Sequence, residues 1–368
     1  MPGMTGFLLL LIGAAFTLSM VLTAMMGRLS PRLGLVAQPG GRRIHERPTP
    51  KGGGVAIFLS FWSLVWLGVA VCWMLQRSGT QFDLWPGLAA HAQGVMGLAS
   101  HLGVIFLGSA IIWMLGMADD LWSLSPWVRL AVEAGVALML VHFGKLNVTL
   151  FFEHGAIQTA VTVLWIVGLI NAFNMLDNMD GLSAGVGGII ALFFAIVALE
   201  TGHYFVAAFL ACLIGALGGF LLFNFPPASI FMGDSGSTTL GYLLSVITVE
   251  YTFFQPERPY FPVVLPLLMF GLPLFDTITV VWIRVRSGRS PFSGDTNHFS
   301  HRLVGLGMSR RQAVLTIYLV TATVALGATV LYYANNFAIW VIFAQTVAIF
   351  TIIGILERAR PSTPRPPQ

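Results

Sequence analysis

Apolar residues fill this chain in long runs, and its polar positions are gathered into short stretches between them. A helix that crosses a bilayer needs about 20 mostly apolar residues. Runs that meet or approach that length lie at 5–26, 55–75, 95–117, 127–143, 157–173, 184–199, 204–223, 237–254, 261–283, 313–333 and 337–356. The pattern predicts an all-α, polytopic integral membrane protein of about eleven spans. The runs at 127–143, 157–173 and 184–199 are at the short end. Ten spans with one broken or half-crossing helix is therefore the alternative count. In this reading residues 1–356 form one membrane domain, and the Pro-rich end, 357–368, is a cytoplasmic tail without regular structure.

Composition agrees with the pattern. Of 368 residues, 56% are hydrophobic and 9% charged, against about a quarter charged in a soluble domain. Cys72 and Cys212 both lie in apolar runs, which gives neither a metal-binding spacing nor a disulfide framework. The first run has no basic residues ahead of it and no small-residue cleavage pattern, and it reads as a retained span.

Charge then orients the spans. The stretch 27–54 carries Arg28, Arg32, Arg42, Arg43, Arg47 and Lys51. Basic loops face the cytoplasm, so the N-terminus is placed outside. Alternation of eleven spans from there puts 118–126, 174–183, 224–236, 284–312 and the C-terminus inside, and 16 of the 19 Lys and Arg residues fall on that side. The polar motifs are not used to set the orientation, yet all of them fall on the same side. A transporter would instead place ionisable groups near the bilayer midplane, at broken helices.

The densest motif is NAFNMLDNMDGLSAG, from Asn171 to Gly185. Asn171, Asn174, Asp177 and Asp180 recur at every third position, which on one continuous helix gives a single polar face. Acids beside apolar spans are costly unless they meet water, a cation or a partner, and they mark functional sites. MADDL places Asp119 and Asp120 at the end of another apolar run. Neighbouring carboxylates repel unless a cation or a shared proton lies between them. Magnesium, which takes ligands from a carboxylate or two and from substrate phosphates, is the simplest resolution. A solvated helix end carrying two acids is an equal alternative.

In FMGDSGS, Gly233 and Gly236 lie close to Asp234, and Ser235 and Ser237 follow it. The backbone there can turn tightly and offer N–H groups beside a carboxylate. That suits a phosphate and metal site, and equally a helix start capped by Asp234 or Ser235. The longest polar stretch, 287–311, holds His298, His301, Arg302 and further arginines. Guanidinium forks suit phosphate oxygens, and imidazoles can donate to them. A zinc pair at His298 and His301 lacks the cysteine or further histidine that would complete four ligands. Arg310 and Arg311 suit lipid headgroups. Glu133, Glu250 and Asp276, the last two turns from Arg284 on one helix face, read as structural.

Taken in order, RRIHERPTPKGGG, GMADD, NAFNMLDNMDGLSAG, NFPPASIFMGDSGSTTLG and SPFSGDTNHFSHRLVGLG resemble the polyprenyl-phosphate N-acetylhexosamine-1-phosphate transferases, the family that includes MraY and WecA. The resemblance covers nearly the whole chain. It implies an integral membrane enzyme with a cytoplasmic active site, which moves a sugar-1-phosphate from a UDP-sugar to a polyprenyl (undecaprenyl) phosphate and releases UMP. N-acetylglucosamine is the first choice of sugar. It further implies a magnesium cofactor with manganese as a substitute, the inner membrane of a bacterium, and a surface glycan such as O antigen or teichoic acid as destination.

By position, Asp119 and Asp120 match the family's paired catalytic aspartates, and Asn174 and Asp234 its magnesium ligands. Asp177 and Asp180 match the acidic pair of its central motif, and Arg129 falls where members carry a basic residue near the phosphates. Lys51, His298, His301 and Arg302 complete the implied substrate contacts. The chain departs from the family pattern at Asn178, where many members have Gly, and at Ser300, where many have a further His. NHFSHR also lacks the run of consecutive histidines usual in the MraY branch, so the chain is more similar to WecA. A phospho-N-acetylmuramoyl-pentapeptide transferase of the MraY type is the alternative within the family, and a transporter of anionic solutes the alternative outside it. No nucleic-acid partner is expected, and a homodimer is allowed. The expected chemistry is attack of the lipid phosphate on the sugar-bearing phosphorus, with Asp119 positioning or deprotonating it. A covalent aspartyl intermediate is the two-step alternative.

Overall fold

In lipid, every backbone polar group has to be satisfied inside its own segment, so apolar runs of this length become helices. The computed structural model describes residues 2–38, 48–78, 88–148, 154–250, 261–292, 294, 297–331 and 336–358. In chain order the helices are α1 (Pro2–Leu29), α2 (Gly53–Ser78), α3 (Leu88–Gly97), α4 (Ala99–Trp122), α5 (Pro126–Phe143), α6 (Gly155–Leu176) and α7 (Leu182–Glu200). They continue as α8 (Tyr204–Asn224), α9 (Asp234–Glu250), α10 (Phe261–Met269), α11 (Gly271–Arg286), α12 (Phe299–Gly305), α13 (Arg310–Val330) and α14 (Asn336–Arg358). A two-residue antiparallel pair, β1 (Val36–Ala37) and β2 (Thr49–Pro50), joins the segments between α1 and α2.

Within the described residues, every apolar run expected to span forms helix, with breaks at Leu98 and Phe270. Among the described residues, nine helices are long and apolar enough to cross a membrane. The other two expected spans are α9, of 17 residues, and the segment 261–286, which breaks between α10 and α11 at Phe270. The three short runs expected to hold any broken helix are instead continuous helices of 18, 22 and 19 residues. The break at Phe270 lies just ahead of Pro273, a residue in the first turn of α11 that lacks the N–H needed to continue the ladder, whereas Pro266 lies within α10. Glu357 and Arg358, expected in the tail, continue α14. The rest of the tail, and Arg42, Arg43, Arg47 and Arg258 of the charge count, lie outside the described residues.

The helices pack as membrane helices do, with small residues at close crossings and apolar side chains outward. At Gly215 and Gly219 of α8, an added Cβ would stand 2.3 Å from the carbonyl oxygens of Ile12 and Phe16 respectively, so α1 lies directly on that stripe. Ser19 Oγ donates to Ala216 O at 2.6 Å in the same contact. Leu9, Leu10, Leu164, Leu319 and Trp340 are exposed, as lipid-facing positions would be. At the centre α9 packs on α4 and α6. Tyr242 OH on α9 donates to Ile105 O of α4 at 2.9 Å.

Candidate active site

The start of α9 is built from two chain segments lying side by side. Phe231 N–H donates to Pro50 O at 2.8 Å, Gly53 N–H to Phe231 O at 3.0 Å, and Gly54 N–H to Met232 O at 2.9 Å. The KGGG run therefore lies along FMGD, and Lys51 arrives beside the last turn of α4. Its Nζ stands 3.2 Å from Asp120 Oδ1, and Asp120 Oδ2 accepts Ser235 N–H at 3.2 Å. Asp120, on another helix, thus satisfies one of the free N–H groups at the start of α9. That corrects the expectation of a local cap, because Asp234 is the first helical residue and Ser235 Oγ is buried without a hydrogen-bond partner among the described residues. Gly233 makes the approach feasible: its φ is +75°, and a Cβ there would lie 2.6 Å from Asp120 Oδ2.

Asp119 sits beside Asp120 with a different set of partners. Its Oδ1 accepts Leu124 N–H at 2.6 Å, and its Oδ2 accepts Arg129 Nη1 at 2.5 Å. Asp119 is also near enough to Asp234 for the two to share a hydrogen bond when one holds a proton. Asn174, in the last turn of α6, donates through Nδ2 to Asp234 Oδ1 at 3.0 Å and to Ser237 Oγ at 3.2 Å.

The central motif is not one helical face. α6 stops at Leu176, Asp177 takes the cap position, and Gly181 at φ +73° precedes α7. The reason is local: DNMDG is rich in residues that favour turns and left-handed backbone. Asn171 and Asn174 stay on α6 but serve different neighbours, since Asn171 donates to Glu133 Oε2 of α5 at 2.5 Å. Asp180 accepts Ala228 N–H at 3.0 Å and so ties the turn to the loop ahead of α9.

The acids strain one another. Burial pushes the Asp177 carboxyl well above the usual carboxylate range, and the charges of Asp234, Asp120 and Asp180 push it further, opposed by Lys51. Asp234, ahead of the apolar part of α9, is pushed up to about 7, by burial first and then by Asp119 and Asp120, against the bond from Asn174. A cation relieves this kind of crowding. Among the described residues, no three His, Cys, Asp or Glu side chains form a closed metal cage. Magnesium does not need one, since it keeps several waters and takes a carboxylate or two plus phosphate oxygens. Asp234 suits that role, and Asn174, with its amide turned half round, would offer oxygen to the same point.

The basic loop reaches this cluster from α11. Asp276, 2% exposed, holds His298 Nδ1 at 2.8 Å through one oxygen and accepts Phe299 N–H at 2.6 Å through the other. Ser300 Oγ donates to Asn178 Oδ1 in the central turn. His301 lies one helical turn on, its ring 6.3 Å from that of His298. The Arg302 guanidinium donates to Asn297 O and, at 3.5 Å, to Thr279 Oγ1. The sequence reading missed Asp276 as the holder of His298, having paired it along its own helix with Arg284. The available signal was a carboxylate inside an apolar run with no adjacent cation, close in the chain to a loop with two histidines.

Comparison with known proteins identifies the family. The profile of glycosyl transferase family 4 matches residues 102–252. The chain is 32% identical to a probable undecaprenyl-phosphate N-acetylglucosaminyl 1-phosphate transferase of Bacillus subtilis, over 94% of this chain and 92% of that one. It is 31% identical to a decaprenyl-phosphate N-acetylglucosaminephosphotransferase of Mycobacterium tuberculosis, over 91% and 86%. It is 26% identical to the undecaprenyl-phosphate alpha-N-acetylglucosaminyl 1-phosphate transferase of Escherichia coli K12, over 89% and 84%. With its motifs gathered at one end of the bundle and likeness along nearly its whole length, the chain belongs to the polyprenyl-phosphate N-acetylhexosamine-1-phosphate transferases of glycosyl transferase family 4.

Proposed function

We propose that this chain transfers N-acetylglucosamine-1-phosphate from a UDP-sugar to a polyprenyl phosphate, releasing UMP and leaving a polyprenyl-diphosphate sugar. One observation carries the reading. Asp119, Asp120 and Asp234 meet Lys51 and Arg129 at one end of an apolar helical bundle, where a water-borne diphosphate and a lipid phosphate can reach the same groups. The names of the relatives support the choice of sugar and acceptor.

An oxygen of the lipid phosphate forms the new bond to the sugar-bearing phosphorus as that phosphorus loses its bond to UMP. Such a transfer needs charge neutralisation and in-line placement more than covalent work by the protein. Asp119, held by Arg129 and by Leu124 N–H, orients the acceptor phosphate or takes its proton. Lys51 and Arg129 bring positive charge to the phosphates, and His298, fixed by Asp276, adds a donor from the loop. Asp234, with Asn174, would hold magnesium or manganese, which when bound neutralises the diphosphate and the departing UMP. On the positive-inside rule this end of the bundle would face the cytoplasm, with the N-terminus outside, and the bacterial relatives support a bacterial inner membrane as its site. The product would be the first lipid-linked intermediate of a surface glycan.

The test is direct. Purified protein in detergent, given undecaprenyl phosphate, magnesium and UDP-N-acetylglucosamine labelled in the sugar, should yield label in the lipid fraction together with UMP. Product from another UDP-sugar alone would overturn the sugar assignment. Sugar phosphate trapped covalently on the protein without lipid acceptor would replace direct attack by a two-step path.

A further inference from the structure

The basic loop is fastened at two neighbouring points, and each fastening has its own consequence. Asp276 ties His298 and the Phe299 N–H to α11. The second fastening ties the loop to the acid cluster itself: Ser300, 1% exposed, donates from Oγ to Asn178 Oδ1, and Asn178 is the neighbour of Asp177. The amide is oriented for this contact, because Asn178 Nδ2 donates to Met175 O at 2.8 Å and so turns its oxygen to the hydroxyl. Ser300 lies between His298 and His301 in the chain. Its bond therefore ties the segment that carries both histidines to the turn next to Asp177.

We propose that Asn178 and Ser300 are positioning residues, a latch that holds the histidine loop over the UDP-sugar phosphates. The proposal rests on the transfer reaction proposed above. The latch bonds beside Asp177 and makes no contact with Asp119, whose partners are Leu124 N–H and Arg129, so on this proposal its loss should weaken UDP-sugar binding more than it slows turnover.

The experiment is a double-mutant cycle on the full-length protein in detergent, using Asn178→Ala, Ser300→Ala and the pair. Steady-state constants for UDP-N-acetylglucosamine are read alongside hydrogen exchange of the amides from Phe299 to Leu303. Each single variant should raise KM about fivefold, the worth of one ordinary hydrogen bond, with kcat changed less than about twofold. The double variant should also stand near fivefold rather than about 25-fold, because one bond can be lost only once. Ser300→Thr, which keeps the hydroxyl, should preserve KM, and both Ala variants should speed exchange in the loop. Additive losses, an unmoved KM, or a fall in kcat alone would overturn the latch. If the wild type transfers no sugar phosphate, the functional reading fails, and loop exchange still decides the latch: unchanged exchange in both Ala variants overturns it.

Discussion

Asn174 on α6 and Asp234 at the start of α9 meet through one hydrogen bond of 3.0 Å, although 60 residues separate them in the chain. The bond joins the central motif to the segment that also receives Asp120 and Lys51. Charge at that junction is unbalanced toward the negative, and a divalent cation is the proposed remedy. Chelation should abolish transfer, and added magnesium should restore it. Asp234→Asn should lower kcat/KM on the order of 100-fold and weaken magnesium and nucleotide binding together, since one carboxylate serves both. Calorimetry of nucleotide binding with and without magnesium checks this. Full turnover after chelation would contradict it.

Asp119 touches Arg129 and neighbours Asp234, and in the proposed reaction it serves the attacking phosphate. Asp119→Asn should cut kcat by roughly 100-fold or more while KM for the UDP-sugar moves little, if its part is confined to the attacking phosphate. Steady-state kinetics at saturating lipid separates the two constants. A large rise in KM at normal kcat would reassign Asp119 to nucleotide binding.

The side chain of Asp120 is fully buried, and that of its partner Lys51 is 17% exposed. Removing one member of a buried pair leaves the other charge uncompensated, at a cost of about 3–5 kcal/mol. Lys51→Met should therefore lower the melting temperature of the detergent-solubilised protein clearly, and adding Asp120→Asn should recover part of the loss. Thermal melts of the two variants decide it. No recovery in the double variant would show that Lys51 acts on something other than Asp120.

Much of the fold was legible because lipid leaves an apolar run little choice but helix. The turn after Leu176 was not read, because a three-residue spacing looks the same on paper whether or not the helix continues through Asp177. The break at Phe270 was missed for a related reason: hydropathy sees an unbroken apolar run and takes no account of the missing N–H of Pro273. In the site, the acids were visible as costly charges at helix ends. Their partners were not, since Lys51 with Asp120, His298 with Asp276 and Ser300 with Asn178 are pairings across the fold that no local pattern encodes.

Loop charge predicts the sidedness of the site independently of any relative. His154, ahead of α6, and Ser287, after α11, are both exposed and lie on opposite sides in that scheme. A cysteine at 154 should be labelled by an impermeant reagent from outside the cell, and one at 287 only from the cytoplasm. Labelling of both from one side would remove the assigned topology.

The central claim is that phosphate moves with the sugar, and the β-phosphate of the donor reports on it most directly. UDP-N-acetylglucosamine carrying ³²P only at the phosphorus attached to the sugar should be incubated with the purified protein, magnesium and undecaprenyl phosphate. The account predicts that the label enters the lipid fraction in step with sugar, and that unlabelled UMP is released in equal amount. Sugar in the lipid with ³²P left in released UDP would contradict it.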